Sequence, residues 1–358
     1  MAKKYNFYAG PAILPQEVMK KAQAELLDFN GIGLSIMEIS HRSKDFEAVI
    51  NGAEAKIRTL LGVPENYAVM FLQGGASLQF GMVPMNLLKG KKADYVHTGE
   101  WAKKAIKEAK LFGTVNIAAS SEDKNFNYIP EKFGFSPEAQ YVHLTSNETI
   151  GGIQWTKFPE TNGVPKVIDM SSDIFSRKID FSDVGLIYAG AQKNIGPAGV
   201  TLVIMRNDLV EASADGLTTM LSYKTHVKEK SMYNTPPCFA IYMIKLVMEW
   251  IEDNGGLAGI EKVNNEKART IYGVIDGSNG YYRGTAAVKD RSKMNVTFRL
   301  PSEELEEKFI NEAKKAGFIG LKGHRSVGGC RASLYNAMSL DGVAALTKFM
   351  ENFAKENR

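Results

Sequence analysis

The chain has 358 residues, 44% of them apolar, with a formal net charge of +4. This length and composition exclude a disordered chain and favour one large domain with a smaller one attached. The net charge is small, and the sequence contains no run of lysines and arginines typical of a nucleic-acid groove. Cys238 and Cys330 are too few for a disulfide framework and have no metal-ligand spacing. We therefore expect a reducing, cytoplasmic location and no metal site.

No export signal or membrane span is expected. A signal peptide requires an apolar segment after its positively charged residues, whereas the lysines near this N-terminus are followed by Tyr5 and Asn6. The most apolar helix candidate, residues 239–251, contains Lys245 and Glu249 and is shorter than the ~20 residues of a bilayer span. It is interpreted as a core helix.

Strands and helices alternate along the chain. This pattern predicts the α/β class, with a large domain built on a mostly parallel, seven-stranded sheet between helices. The expected helices lie near residues 15–29, 43–61, 77–88 and 100–112. The expected strands lie near residues 67–72, 93–97, 114–118, 140–144, 166–170, 184–188 and 200–205.

Asn254-Gly255-Gly256 is the best candidate for a domain boundary, because glycines end the long apolar helix there. We expect a large domain over residues 15–252 and a small α/β domain over residues 253–358. The expected elements of the small domain are helices near 257–275, 302–316 and 340–356 and strands near 293–300 and 330–335.

Lys193 is the most informative residue. It lies in the Gly- and Pro-rich segment 189–199, between two apolar runs. A lysine held between buried strands is partly desolvated, which lowers its pKa and makes the amine a nucleophile suited to a Schiff base. The alternative is a solvated loop lysine. The bend fixed by Pro197 and the flanking glycines argues against that alternative, because a mere connector does not need it.

Asp169 follows Val167-Ile168, a short apolar run that predicts a buried strand. A carboxylate at the carboxyl end of such a strand faces the crevice where open α/β sheets bind ligands. It can pair there with the protonated ring nitrogen of pyridoxal phosphate (PLP), whose charged ring stabilises a carbanion. The alternative is a helix cap or turn former.

A glycine turn, residues 73–77, separates an expected strand from an expected helix. The free N–H groups and the positive end of the helix dipole suit a phosphate. The signal is weak alone, since many such turns bind nothing and no full nucleotide-binding glycine motif is present.

Two His-Arg pairs, His41-Arg42 and His324-Arg325, lie in Gly- or Ser-containing loops. Brought together, they would offer guanidinium and imidazole donors to a doubly charged oxyanion. The alternative is a pair of basic surface loops.

These residues occur within stretches that, taken together and in this order, resemble the phosphoserine aminotransferase family of fold type I PLP enzymes. The resemblance runs nearly the whole chain. The stretches are residues 6–12, 40–43, 74–77, 146–150, 189–199, 233–237, 323–325 and 329–333. The resemblance also assigns residues 1–14 to the small domain.

The resemblance implies a role for each matching position. Lys193 would form the Schiff base with PLP, Asp169 would hold the ring nitrogen, and Trp101 would stack on the ring. The other cofactor contacts would be Thr149 to the ring oxygen and Ala76, Ser77 and Gln192 to the phosphate, with Asn234 and Thr235 from a second subunit. The distal anion of the substrate would bind His41, Arg42, His324 and Arg325, and its α-carboxylate would bind Arg331. Some members carry Gly-Arg in place of Ala76-Ser77, so an arginine contact from that turn is absent here.

The implied activity is transfer of the amino group between glutamate and 3-phosphohydroxypyruvate in serine biosynthesis. The products are O-phosphoserine and 2-oxoglutarate. The resemblance further implies a homodimer with shared active sites and small-molecule substrates, with no nucleic-acid or membrane partner. A side activity on 4-phosphooxythreonine in vitamin B6 synthesis stays open.

Two alternatives remain at this point. One is another fold type I enzyme, such as an alanine:glyoxylate aminotransferase or a cysteine desulfurase. Neither explains two His-Arg pairs, and a desulfurase needs a reactive loop cysteine. The other is a non-catalytic protein that binds a phosphate metabolite, with Lys193 acting only as a counter-ion.

Overall fold

A computed structural model of the chain describes residues 4–358. Its helices are α1 (Gln16–Ala24), α2 (Lys44–Leu61), α3 (Gly75–Leu87), α4 (Glu100–Ala109), α5 (Asn207–Glu211), α6 (Tyr223–Lys228), α7 (Cys238–Asp253), α8 (Gly256–Gly277), α9 (Glu303–Lys315) and α10 (Leu340–Glu356). Its strands are β1 (Tyr5–Asn6), β2 (Tyr67–Leu72), β3 (Lys92–His97), β4 (Thr114–Ser120), β5 (Val142–Thr145), β6 (Asn147–Glu148), β7 (Ile153–Gln154), β8 (Lys166–Asp169), β9 (Val184–Gly190), β10 (Thr201–Arg206), β11 (Arg283–Gly284), β12 (Asn295–Arg299), β13 (Phe318–Ile319) and β14 (Cys330–Ser333).

The central sheet has seven strands in the order β2-β10-β9-β8-β5-β3-β4. Strand β10 runs antiparallel to both of its neighbours, and the remaining pairs are parallel. The prediction of a mostly parallel, seven-stranded sheet is therefore confirmed. Strands β8 and β9 are buried along their whole length, as expected for strands that helices cover on both faces.

Alternation along β10 shows how the two faces are covered. Leu202 and Ile204 pack in a core with residues of α2 and α7. Val203 and Met205, which point to the other face, pack in a second core with residues of α3 and α4. Successive strand residues alternate between faces, so a continuous apolar run such as that of β10 fits a strand buried on both sides.

The C-terminal part of the chain forms a separate α/β layer. Its sheet has the order β11-β12-β14, and residues of α8, α9 and α10 pack with it in their own apolar core. Strand β1 pairs in parallel with β13, and Phe7 lies in that same core. The division into a large domain over 15–252 and a small domain over 253–358 with 1–14 stays a prediction, and residues 1–3 lie outside the described part of the chain.

The predicted helix over residues 15–29 is too long. Helix α1 ends at Ala24, and residues 25–28 form turns and bends before a segment with positive φ at Asn30, Gly31 and Gly33, which no α-helix can include. Helix α3 begins at Gly75, two residues earlier than predicted, because Gly74 takes the left-handed conformation (φ 86°) just before it. Over residues 4–358, no helix is both long enough and apolar enough to cross a bilayer.

Candidate active site

The predicted site residues gather at one edge of the central sheet. Strand pairing places Leu72 beside Thr201, and Thr201 beside Gly190. It also places Asp169 beside Tyr188 and Thr145. The carboxyl ends of β2, β5, β8 and β9 therefore meet at this edge, which is where open α/β sheets bind ligands.

Lys193 lies in the turn between β9 and β10, and its side chain is half-buried. Its Nζ donates a 2.8 Å hydrogen bond to Oγ1 of Thr149, which follows β6. Burial lowers the pKa of Lys193, while the negative charges of Asp169 and Glu148 act in the opposite direction. The structure thus places the amine where the sequence predicts a nucleophile.

Asp169 is the last residue of β8 and is 5% exposed. One carboxylate oxygen, Oδ1, accepts hydrogen bonds from the N–H (2.9 Å) and the hydroxyl (2.6 Å) of Ser171. Burial raises the pKa of Asp169, and the positive charge of Lys193 and the bonds from Ser171 oppose that rise. The lysine and the carboxylate therefore act on each other electrostatically, as an amine and a ring-nitrogen partner in one pocket would.

Trp101 lies in the first turn of α4, just beyond the carboxyl end of β3. Nζ of Lys193 lies 4.9 Å from the centre of its ring, and Nζ of Lys104 lies 4.4 Å from the same centre. The indole Nε1 has no hydrogen-bond partner among the described residues. The ring thus faces Lys193, the position needed to stack on a planar ligand.

The glycine turn lies at the same edge. Gly74 and Gly75 both have positive φ, 86° and 66°, and a Cβ on Gly74 would lie 2.5 Å from a methyl group of Leu78. Ala76 and Ser77 form the first turn of α3, and no side chain caps that helix start. Uncapped N–H groups at a helix start, with no bulky side chain on the preceding glycine, suit a phosphate.

The N-terminal segment covers the lysine turn. The N–H of Ala12 donates a 2.9 Å hydrogen bond to the carbonyl of Gln192. A Cβ added to Gly10 would lie 3.2 Å from Cγ of Lys193. Gln192 therefore lies beside Lys193 in the same turn, where the N-terminal segment is bonded to its carbonyl; its predicted contact with the phosphate stays a prediction.

A basic cluster comes from the C-terminal layer. Arg331 on β14 donates a 3.3 Å hydrogen bond to the carbonyl of Thr149, and its Nε has no partner among residues 4–358. Burial lowers the pKa of His324, and the nearby positive charges of Arg331, Arg325 and Lys104 lower it further. Three of the predicted substrate-binding residues, His324, Arg325 and Arg331, thus lie together beside the Lys193 pocket.

Four predicted residues form no hydrogen bond, ion pair or ring contact with the site of their own chain within residues 4–358. His41 and Arg42 lie in the loop before α2, and Asn234 and Thr235 in the loop before α7. Within the described residues, no hydrogen bond, ion pair or ring contact joins any of them to Lys193, Ser77 or Arg331.

Glu148 is the main residue that the sequence analysis missed. It is 1% exposed, and burial together with the negative charge of Asp169 raises its pKa to about 7. A signal was available, because Glu148 is an acidic residue within the otherwise uncharged stretch 144–155. Acids are almost never fully buried without a specific reason.

Comparison with known proteins places the chain in a family. Residues 4–346 match the family described as aminotransferase class-V. That match covers most of the chain, and the fold and the lysine pocket agree with it. The chain therefore belongs to the class-V aminotransferases.

More similar relatives narrow this placement. The phosphoserine aminotransferase of Desulfosudis oleivorans is 59% identical over 99% of this chain and 98% of the relative. The solved phosphoserine aminotransferase of Bacillus circulans subsp. alkalophilus is 55% identical, with a TM-score of 0.98 over 100% of both chains. A PLP-bound phosphoserine aminotransferase from Trichomonas vaginalis is 40% identical, with a TM-score of 0.93 over 98% of this chain and 100% of that one. Within the class-V aminotransferases, the chain belongs to the phosphoserine aminotransferase family.

Proposed function

We propose that this protein is a PLP-dependent transaminase that moves an amino group between glutamate and 3-phosphohydroxypyruvate, giving O-phosphoserine and 2-oxoglutarate. The observation that carries the proposal is the position of the Lys193 amine, hydrogen-bonded to Thr149 at 2.8 Å and 4.9 Å from the centre of the Trp101 ring. The buried carboxylate of Asp169 acts on the same amine. The phosphoserine aminotransferases to which the chain is similar, and the predicted role in serine biosynthesis, point to the same reaction.

The residues fit PLP. The pocket offers an amine for the aldehyde, a buried carboxylate for the ring nitrogen, and an indole whose Nε1 is unpartnered among the described residues. Only Oδ1 of Asp169 is engaged by Ser171, which leaves its other oxygen for the ring. The uncapped start of α3, with Ala76 and Ser77, and the neighbouring Gln192 would hold the phosphate.

When bound, PLP supplies an aldehyde carbon that joins to amines and a ring that accepts the electron pair left when the substrate loses its α-proton. Lys193 would act as the base that takes the α-proton from the substrate and later gives it back. Its lowered pKa favours the neutral amine that this task needs. Asp169 would pair with the protonated ring nitrogen, and Trp101 would pack against the ring.

Substrate selection follows from charge. Arg331, whose Nε has no partner among the described residues and whose pKa is lowered by burial, would bind the α-carboxylate that every amino-acid substrate carries. His324 and Arg325 would bind the distal anion. An arginine cluster recognises oxygen acceptors, so one pocket accepts both the γ-carboxylate of glutamate and the phosphate of 3-phosphohydroxypyruvate.

We propose that the site is completed by a second copy of the chain. Among the described residues, no hydrogen bond, ion pair or ring contact joins His41, Arg42, Asn234 or Thr235 to the site of their own chain, although the family resemblance gives them roles there. Both segments also expose apolar side chains, namely Ile32 (39%), Leu34 (49%) and Met37 (59%) before His41, and Tyr233 (47%) before Asn234. Exposed apolar side chains next to polar residues that bond to nothing in the described site of their own chain are typical of a subunit interface.

A cytoplasmic location is part of the same proposal. Both cysteines, Cys238 and Cys330, are free thiols. Free thiols and the absence of disulfides suit a reducing compartment.

The proposed activity is tested by a coupled assay for glutamate formation from phosphoserine and 2-oxoglutarate, with alanine and aspartate as competing amino donors. We expect phosphoserine to be strongly preferred and the Lys193→Ala variant to be inactive. A preference for alanine would point to another class-V aminotransferase. If the protein shows no visible chromophore, or shows one that borohydride does not remove, it would instead be a binding protein.

A further inference from the structure

The buried carboxylate of Glu148 lies against the start of α4, the helix that carries Trp101. Its Oε1 accepts hydrogen bonds of 3.4 Å from the hydroxyl of Thr98 and from the backbone N–H of Ala102. Its Oε2 has no partner among residues 4–358. Glu148 is only 1% exposed, so Oε2 does not reach bulk water as an alternative partner.

Gly99 leaves room for this carboxylate. Its φ of 165° is extended backbone that any residue adopts, so backbone conformation does not require glycine there. A Cβ at this position would lie 2.5 Å from Cδ and 2.6 Å from Oε2 of Glu148. Since contacts below 3.0 Å essentially never occur, a side chain at residue 99 would displace the carboxylate from its hydrogen bonds.

The carboxylate does what a capping residue normally does. Gly99 precedes α4 and has no side chain to accept a hydrogen bond from the first turn. Glu148, on the short strand β6 that pairs with β7, accepts one from Ala102 instead. An acceptor at a helix start satisfies an otherwise free N–H and fixes the entry of the chain into the helix.

The next residue after Glu148 holds the other side of the pocket. Thr149 accepts the hydrogen bond from Nζ of Lys193, and the ring of Trp101 lies 4.9 Å from that same nitrogen. Two adjacent residues thus act on two groups that line the pocket, the Trp101 ring and the Lys193 amine. Glu148 acts on the ring through the start of α4, and Thr149 acts on the amine directly.

We propose that Glu148 is a positioning residue for the proposed amino transfer: it holds Thr98, Gly99 and the first turn of α4 so that the Trp101 ring stays at a fixed distance from Lys193. The proposal rests on the proposed function, because the spacing matters for a planar cofactor. The pKa of Glu148 is raised to about 7, so both protonation states occur near neutral pH. In either state one side-chain oxygen can accept the hydrogen bond from Ala102.

The test is quenching of Trp101 fluorescence by added PLP, with a Trp101→Phe partner of each variant subtracted to remove the signals of Trp155 and Trp250. Glu148→Ala should weaken PLP binding roughly tenfold and reduce the quenching at saturation, since a helix cap is lost. Glu148→Gln keeps a carbonyl oxygen of the same reach and should restore both values. If Glu148→Ala matches the wild type, the inference is wrong.

A second comparison tests the contact with Gly99. Gly99→Ala should weaken PLP binding in the wild-type background because the methyl group displaces the carboxylate. In the Glu148→Ala background the same change should add little, since the carboxylate is gone. Additive effects of the two changes would overturn the proposal. If Glu148→Ala fails to fold, Gly99→Ala in the wild-type background tests the proposal alone, with Glu148→Gln as the variant that should keep PLP binding. Gly99→Ala that binds PLP as tightly as the wild type would then overturn the proposal.

Glu306 provides a matched control. It is 6% exposed and accepts from Nε of Arg299 and, at 3.3 Å, from the N–H of Leu300, in the C-terminal layer. Glu306→Ala should lower stability without changing the quenching of Trp101. The two proposals fail differently. A wild type that PLP does not quench contradicts the proposed function and this inference together, whereas quenching that Glu148→Ala leaves unchanged contradicts the inference alone.

Discussion

Lys193 and Thr149, 44 residues apart in the chain, are joined by a 2.8 Å hydrogen bond from Nζ to Oγ1. The bond connects the turn after β9 to the segment after β6. It fixes the amine at the edge of the sheet where Asp169 and the glycine turn also lie. A mobile lysine would lose this orientation, and orientation is a large part of catalysis.

Thr149→Val removes the hydroxyl while keeping the shape of the side chain. We expect kcat to fall about tenfold or more, because the amine loses the partner that orients it. Thr149→Ser keeps the hydroxyl and should retain most of the activity. Steady-state kinetics of both variants check this, and equal losses in Val and Ser variants would contradict the role of the hydroxyl.

The two arginines of the basic cluster should be separable by substrate. Arg331→Ala should raise KM for phosphoserine and for alanine alike, by roughly tenfold to a hundredfold, since both carry an α-carboxylate. Arg325→Ala should raise KM for phosphoserine, while the slow reaction with alanine, which has no distal anion, stays unchanged. A loss of alanine turnover in the Arg325 variant would place that residue elsewhere.

A shared site allows complementation between inactive chains. A Lys193→Ala chain keeps Asn234 and Thr235, and a chain with both of those changed to Ala keeps Lys193. If the double change is inactivating, co-refolding equal amounts should restore roughly a quarter of wild-type activity, because half of the dimers are mixed and each has one intact site. No recovery, with mixed dimers demonstrated by mass, would show that each chain builds its own site.

The stability of the cofactor-free protein should depend on pH through Glu148. Burial and the charge of Asp169 raise its pKa from 4.5 to about 7. The folded protein therefore keeps this proton to about pH 7, whereas the unfolded chain releases it near 4.5. The stabilisation from Glu148 is complete below pH 4.5 and is lost as the pH rises to about 7.

Urea unfolding of the wild type and of Glu148→Gln measures this effect. The stability of the wild type relative to the variant should fall between pH 5 and pH 8, by on the order of 1–3 kcal/mol. Glutamine does not titrate, so its variant sets the baseline. A difference that stays constant with pH would mean that the folded pKa of Glu148 is not raised.

Much of the fold could be predicted from the sequence because its signals are local. The continuous apolar runs of β9 and β10 predicted buried strands, and Asn254-Gly255-Gly256 correctly marked the end of α7. The end of α1 was harder, since Ala24 is followed by the helix-compatible residues Glu25, Leu26 and Leu27, and no Gly or Pro marks the point where the helix ends.

The site was predicted less completely, for a physical reason. Lys193 and Asp169 each follow a buried strand, so their position at the edge of the sheet follows from local pattern. The role of Glu148 depends on Gly99 and Ala102, which are remote in the chain and become neighbours only when β3 and β5, the strands that precede the two segments, pair in the sheet. No spacing in the sequence encodes that contact.

The central claim is that the amine of Lys193 carries the cofactor and the transferred amino group. Borohydride reduction of the PLP-loaded enzyme, followed by proteolysis and mass spectrometry, tests it most directly. We predict a single reduced PLP adduct on Lys193, and a Lys193→Ala variant that stays folded, lacks the adduct and loses turnover by several orders of magnitude. An adduct on another lysine, or near-normal turnover in Lys193→Ala, would contradict the account.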